Sequence, residues 1–388
     1  MSVPTMNVEQ AVRDRYARAA NDRVDELCCP VDYDFRYLEV IPQEIVERDY
    51  GCGDPSKYLR EGETVLDLGS GGGKICYIAA QVVGPRGRVI GVDMNDEMLG
   101  LARSYRREIG DRLGYHNVSF HKGRIQDLAL DYETLEARLA SEPVRTPGQL
   151  EALDTWKEEQ RRLDPMIPTE SVDVVISNCV LNLVRSEDKR ELFREIHRVL
   201  GLGGRAVISD IVSDETVPEH MVNDPELWSG CLSGAFREDH FLAAFEEAGF
   251  YGIRVLRRDA EPWQVIEGVE FRSVTVEAFK GKEGPCLERR QAVIYKGPWR
   301  SVTDDDGHTL HRGRRMAVCD KTFRIYTREP YAAEIAPVPA YEEVPLEEAT
   351  PFDCGRDAER DPSETKGRGY TITNRSDAGC CDPDGGGC

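Results

Sequence analysis

The 388-residue chain carries 50 Lys and Arg against 71 Asp and Glu, a formal charge of −21. Neutralising phosphates needs a basic face, which this acidic background opposes, so no nucleic-acid partner is expected. At 40% hydrophobic residues the chain can bury a sizeable core, and its length fits two or three domains of about 150 residues each.

Met1–Gln10 lacks the basic and apolar regions of a leader, and no stretch approaches the roughly 18 apolar residues of a membrane span, so no membrane partner and a cytoplasmic location are expected. The 12 cysteines are too dilute for a disulfide scaffold in a chain this long. In a reducing compartment they are packed hydrophobes, nucleophiles or ligands for soft ions.

In chain order, residues 7–27 have helical apolar spacing (Val8, Val12, Tyr16, Ala19) and run into Cys28-Cys29-Pro30, where the proline should stop a helix. This N-terminal segment is taken as 1–60. Thr64–Leu68 reads as a buried strand, and after a glycine cluster 74–83 reads as a helix. Arg88–Asp93 is a second strand, and Asn95 or Asp96 caps a helix to about Ile109. Val118–Phe120 is a third strand. A charged insertion, 131–166, has the spacing of one or two surface helices. Val172–Ser177 is a fourth strand and 189–200 an amphipathic helix ended by Gly201, Gly203 and Gly204, with a fifth strand over 205–209. Alternating strands and helices predict an α/β fold, a doubly wound parallel sheet covered on both faces, over 61–280. A small β-rich domain, 281–352, follows with strands at 292–295 and 315–318. Its Pro- and Glu-rich 335–351 reads as linker or wrapping segment, and 353–388 as a disordered Gly- and Cys-containing tail.

Asp67-Leu68-Gly69-Ser70-Gly71-Gly72-Gly73 follows a strand and opens a helix, so its backbone amides can approach a ligand at the helix N-terminus. The spacing does not satisfy G-x-G-x-x-G, because Lys74 stands where the third glycine would be. With Asp67 toward an amino-acid end and Asp93 on ribose hydroxyls, the ligand reads as S-adenosylmethionine rather than NAD. The competing reading is a glycine turn that only packs helix on strand. Met94 beside Asp93, Arg124 and Ile125 after the third strand, the adjoining Gln126-Asp127 pair placed against adenine, and Asn178 at the fourth strand's end complete the expected cofactor site.

The chain resembles the arsenite S-adenosylmethionine methyltransferase family. The resemblance rests on Tyr50-Gly51-Cys52-Gly53, the Val65–Gly71 and Gly91–Met94 segments, Ser177-Asn178-Cys179-Val180-Leu181-Asn182-Leu183, Ile196–Leu200 and Gly230-Cys231-Leu232-Ser233-Gly234-Ala235. It implies a Rossmann-like class I methyltransferase fold, with trivalent arsenic bound by Cys52, Cys179 and Cys231. A relay or disulfide-exchange thiol falls on the Cys28-Cys29 pair, with Cys29 preferred. It also implies arsenite or its thiol conjugates as substrate and thioredoxin or glutathione as reductant. Trivalent arsenic is soft and takes three thiolates while keeping a lone pair, so its methylation needs positioning and no general base. On spacing alone the three cysteines could be packed hydrophobes. Rival functions are methyl transfer to selenium, antimony or a small organic acceptor, and metalloid binding beside a vestigial cofactor site. Cys76 reads as core. Cys286, Cys319, Cys354, Cys380, Cys381 and Cys388 receive no role.

Overall fold

A computed structural model describes residues 8–21, 31–355 and 357–371. Strands β1 (Thr64–Leu68), β2 (Arg88–Asp93), β3 (Val118–Lys122), β4 (Val172–Asn178) and β5 (Leu200–Ser213) lie parallel in the order β3-β2-β1-β4-β5. Their apolar residues alternate between two buried faces. Leu66, Leu68 and Val175 join one core, and Val65, Val174 and Ile176 the other. Each such side chain contributes about 1.5–3 kcal/mol. Strand order reverses at β1, between β2 and β4, which opens a crevice at the carboxyl ends of β1 and β4.

The wholly parallel sheet expected from the sequence is corrected by the structure. Beyond β5 come β9 (Val269–Phe279) and β7 (Tyr251–Arg258), each pairing antiparallel, while the short β6 (Phe236–Arg237) pairs with β5 and β8 (Gln264–Ile266) with β9. The glycines at 201–204 do not separate helix from strand. The helix Lys189–Val199 ends at Val199, and β5 runs straight through the glycines because Lys280 pairs with Gly203 and Gly204 at 2.8 and 2.9 Å. Among the described residues the first helix spans Val8–Ala19 and gives way to a turn at Ala20-Asn21; residues 7 and 22–27 of the expected stretch lie outside the described residues.

The insertion forms two helices, Tyr132–Ser141 and Pro147–Leu163, neither with a buried residue. They are moored by ion pairs near β3: Glu136 to Lys122 (2.5 Å), Glu133 to Arg103 (2.6 Å) and Arg161 to Asp127 (2.9 Å).

The chain divides at Gly281/Lys282. In the second unit the strand Ala292–Tyr295 sits between antiparallel Arg315–Ala317 and Ile335–Val338, over a core of Val293, Tyr295, Met316, Val318 and Ile335. Part of the expected linker is therefore strand. Part of the expected disordered tail is also ordered: a helix spans Pro362–Lys366, and buried Arg360 pairs with Glu288 (2.8 Å) and Glu364 (2.7 Å). Residues 372–388 lie outside the described residues.

Candidate active site

The turn after β1 is built on backbone that only glycine adopts cheaply. Gly69 has φ 69°, and a Cβ there would fall 2.4 Å from Val180 Cγ1. The turn is anchored on β2: Gly69 and Ser70 amides donate to the Val92 carbonyl (2.8 and 3.1 Å), and the Gly71 amide donates to Asp93 Oδ2 (2.8 Å). Asp93 Oδ1 accepts from the Asn95 amide (2.8 Å), so the carboxylate is fixed at the crevice. Burial raises its pKa, against the amide hydrogen bonds that lower it. Burial likewise pushes Asp67 up to about 7, although the Cys76 thiol donates to it at 3.2 Å.

Asp67, Gly69, Ser70, Gly71, Asp93, Met94, Arg124, Ile125 and Asn178, the nine positions expected to hold cofactor, all line one cavity. Ser70 Oγ, buried in its wall, has no hydrogen-bond partner among the described residues. Two carboxyl groups, an unspent hydroxyl and an apolar flank at Met94 and Ile125 fit S-adenosylmethionine, which is polar at both ends of an adenosine body. Asp127 is a correction. It does not line the cavity, because its carboxylate is engaged by Arg161 from the insertion, a partner no local pattern announces. Gln126 does line it.

Cys52 lies before β1, Cys179 directly after β4 and Cys231 after the short helix Pro225–Ser229. All three are buried in one cluster with Ile211, Leu232 and Phe271. The Cys231 thiol donates to the Cys179 backbone carbonyl at 3.1 Å. The Cys52 and Cys179 sulfurs and an Asp210 oxygen lie within 4.8 Å of one another, while the Cys231 sulfur, though buried in the same cluster, falls outside that close group. Cys179 also lines the cofactor cavity, so it is the thiol common to both compartments. Cys179 and Cys231 take left-handed backbone, φ 64° and 62°, which costs a non-glycine residue about 1–2 kcal/mol and is kept where the surroundings over-determine it. Its interactions with the Cys231 and Cys52 side chains, then burial, hold the Cys179 thiol well above its ordinary pKa, and burial raises Cys52.

The residues that enforce this geometry had been assigned no role. Asn182, fully buried, donates to Asp210 Oδ1 (2.8 Å), the Ile211 carbonyl (2.6 Å) and the Cys231 carbonyl (3.2 Å), while Asp210 Oδ2 accepts from the Leu181 amide (2.9 Å). Lys189 donates to the Gly234 carbonyl, and burial lowers it to about 8. Tyr16 lines the cavity, with its hydroxyl 3.8 Å from Cys231 Sγ. The available signal was a charged residue in an otherwise buried run for Asp210 in β5; Lys189 stands beside exposed Arg190 and Glu191 and nothing local marked it. Asn178 differs from its expected use. Its carboxamide oxygen accepts from the Cys52 and Gly53 amides (2.9 and 3.0 Å) and its nitrogen donates to the Gly53 carbonyl (2.8 Å), so it clasps the Cys52 loop from the cavity wall. Cys28 and Cys29 lie outside the described residues.

A methyltransferase-domain family matches residues 59–139 and 149–249, and a domain family of unknown function (DUF8838) matches 282–370. The chain is 33% identical over 300 residues to an arsenite methyltransferase of Aquipseudomonas alcaligenes, covering 74% of this chain and 76% of the relative. It is 29% identical to the human arsenite methyltransferase over 79% of this chain and 76% of the relative. Among solved structures it is similar to CrArsM, an arsenic(III) S-adenosylmethionine methyltransferase from Chlamydomonas reinhardtii. The TM-score is 0.53 at 27% identity, covering 84% of this chain and all of the other.

Proposed function

The chain belongs to the arsenite methyltransferase family, and from that premise we propose that Cys52, Cys179 and Cys231 hold the arsenic that it methylates. Its reaction is methyl transfer from S-adenosylmethionine to arsenite. The observation that carries the assignment is the convergence of three buried thiols from three separate segments, one of them on the cofactor cavity.

Asp67, Ser70, Gly71 and Asp93 would hold the cofactor, with Met94, Arg124 and Ile125 along its flank. Bound there, S-adenosylmethionine supplies an electrophilic methyl group on a positively charged sulfur. The three thiols condense with arsenous acid, each forming an arsenic–sulfur bond and releasing one water. Arsenic retains a lone pair and carries no proton, so none of the cavity acids is required as a base. Catalysis then rests on placement by Asn182, Asp210 and Asn178, which fix the loops bearing the thiols. The methylated arsenic is formally pentavalent until two of its sulfurs leave as a disulfide, returning an electron pair to it. Thioredoxin or glutathione then reduces that disulfide, as a reducing cytoplasm allows. No helix of the described residues is long and apolar enough to cross a membrane. Cys29, beside Cys28, is the proposed relay thiol.

The test is incubation with arsenite, labelled S-adenosylmethionine and a thiol reductant. Methylated arsenicals are expected from the wild type, and none from Cys179→Ser, which should still bind cofactor. Full turnover in Cys179→Ser would remove the site assignment.

A further inference from the structure

Seven cysteines fall among the described residues, all free. Three form the cluster above, Cys76 packs in a core, and the remaining three also meet. The sulfurs of Cys286, Cys319 and Cys354 lie within 4.8 Å of one another, all inside the unit 282–371. We propose that these three thiols form a second site for trivalent arsenic, separate from methyl transfer.

The fold brings them together deliberately. Cys286 and Cys354 flank the antiparallel strands Leu287–Glu288 and Thr350–Pro351, which are tied further by the Phe352 amide donating to the Cys286 carbonyl (2.9 Å). Cys319 is the N-cap of the helix Asp320–Tyr326. Its sulfur accepts from the Thr322 amide at 3.4 Å and lies 3.2 Å from the Thr322 hydroxyl. Burial would raise this thiol, but those Thr322 hydrogen bonds, with the two neighbouring thiols, bring it below its ordinary value. Cys319 is fully buried while Cys286 and Cys354 are half-buried, so the cluster has a closed floor and a face open to solvent.

Three sulfurs complete the coordination of trivalent arsenic, whereas structural zinc takes four ligands. His308 lines the same small cavity as Cys319 and Cys354, but its Nδ1 is held by Asp304 at 3.0 Å and it falls outside the sulfur group. Binding needs no oxidant: arsenous acid exchanges three hydroxyls for three sulfurs and three waters leave with the thiol protons. The choice of arsenic rests on the active-site reading above; the convergence of the thiols does not.

The test uses the full chain with Cys28, Cys29, Cys380, Cys381 and Cys388 changed to Ser, saturated with arsenite and freed of unbound arsenic, with arsenic and zinc counted per chain. Two arsenic atoms per chain are expected. Cys286→Ser or Cys354→Ser should bring this to one, and either change made alone in the chain with all its other cysteines intact should leave methylation in place. The combined Cys52→Ser, Cys179→Ser and Cys231→Ser variant should also retain one, with three sulfur neighbours by X-ray absorption, and lose methylation. Should Cys319→Ser fail to fold, the half-buried pair carries the result. Undiminished binding in Cys286→Ser and Cys354→Ser would overturn the proposal, as would co-purified zinc that arsenite does not displace. Failure of the active-site assignment would show instead as unchanged binding in the combined variant.

Discussion

The Cys231 thiol donates a hydrogen bond to the backbone carbonyl of Cys179 at 3.1 Å, and both residues hold left-handed backbone. One thiol of the buried cluster thus helps hold the strained loop that presents another. Asn182 closes the arrangement by reaching the Cys231 carbonyl and Asp210 together. Asn182→Ala removes these donors and leaves Asp210 under-satisfied, which is worth roughly 1–3 kcal/mol. The expected outcome is loss of stability by urea unfolding and at least a tenfold fall in kcat for arsenite, with cofactor affinity little changed by calorimetry. A proportional loss of cofactor affinity would show that Asn182 supports the whole crevice and not the thiol loops.

Asn178 separates the two ligands differently. Its polar atoms are spent on the Cys52 loop, although it borders the cofactor cavity. Asn178→Ala should therefore raise KM for arsenite more than the Kd for S-adenosylmethionine. A purely cofactor-binding role predicts the reverse ordering, so paired measurements on one variant decide it.

Gly69→Ala meets both a positive φ and the Val180 side chain. The backbone conformation alone costs about 1–2 kcal/mol, and the close approach adds to it. The variant should lose stability and cofactor binding. Val180→Ala, by emptying the clashing position, should restore part of both, measured as a non-additive double-mutant cycle. Strict additivity would mean that the contact is not what excludes a side chain.

Asp67 gives the folded chain a pH signature. Its value rises from 3.8 to about 7 on burial, so the folded state binds a proton that the unfolded chain has released. Its contribution is fully present below 3.8 and is lost as pH rises through about 7, with a limiting slope of about 1.4 kcal/mol per pH unit inside that window. Asp210, raised to about 6, acts in the same direction over a narrower range. Urea midpoints of the cofactor-free enzyme should show this fall, and Asp67→Asn should flatten it.

Arsenite binding at the active site should be nearly proton-neutral near pH 7. The Cys52 and Cys179 thiols are raised by burial and by their neighbours, so they enter protonated and leave their protons in the water released. Calorimetry in buffers of different ionisation enthalpy should give the same binding heat. Uptake of two or more protons would mean that the thiols are already ionised in the free enzyme.

Much of the frame was legible because it obeys local rules. The helix Lys74–Val83 and strands β1 and β2 lie where apolar runs and glycine turns place them. The Asn95 side chain caps the next helix by accepting from the Met98 amide. The glycine-rich start of β5 was not legible, since its pairing partner lies in β9, some seventy residues on. Cys52, Cys179 and Cys231 stood out by type and by family resemblance, but their meeting in space depends on the sheet. Cys286, Cys319 and Cys354 had neither help, and only antiparallel pairing and a helix cap unite them. Asp127 was misplaced for the same reason, because its partner Arg161 comes from an insertion whose docking the sequence does not encode locally.

The helix Val8–Ala19 brings Tyr16 to the cavity and is fastened at Arg15, which donates to the Glu226 carbonyl (2.8 Å) and Ser229 Oγ (3.1 Å). Those partners lie more than two hundred residues downstream. On the ribosome this helix therefore emerges long before its seat exists, and must wait for the 225–231 turn before it can dock. Tyr16 thus reaches the cavity wall only once residues 225–231 have been made, so a chain cut before that turn would carry the cofactor crevice without the Tyr16 hydroxyl beside it.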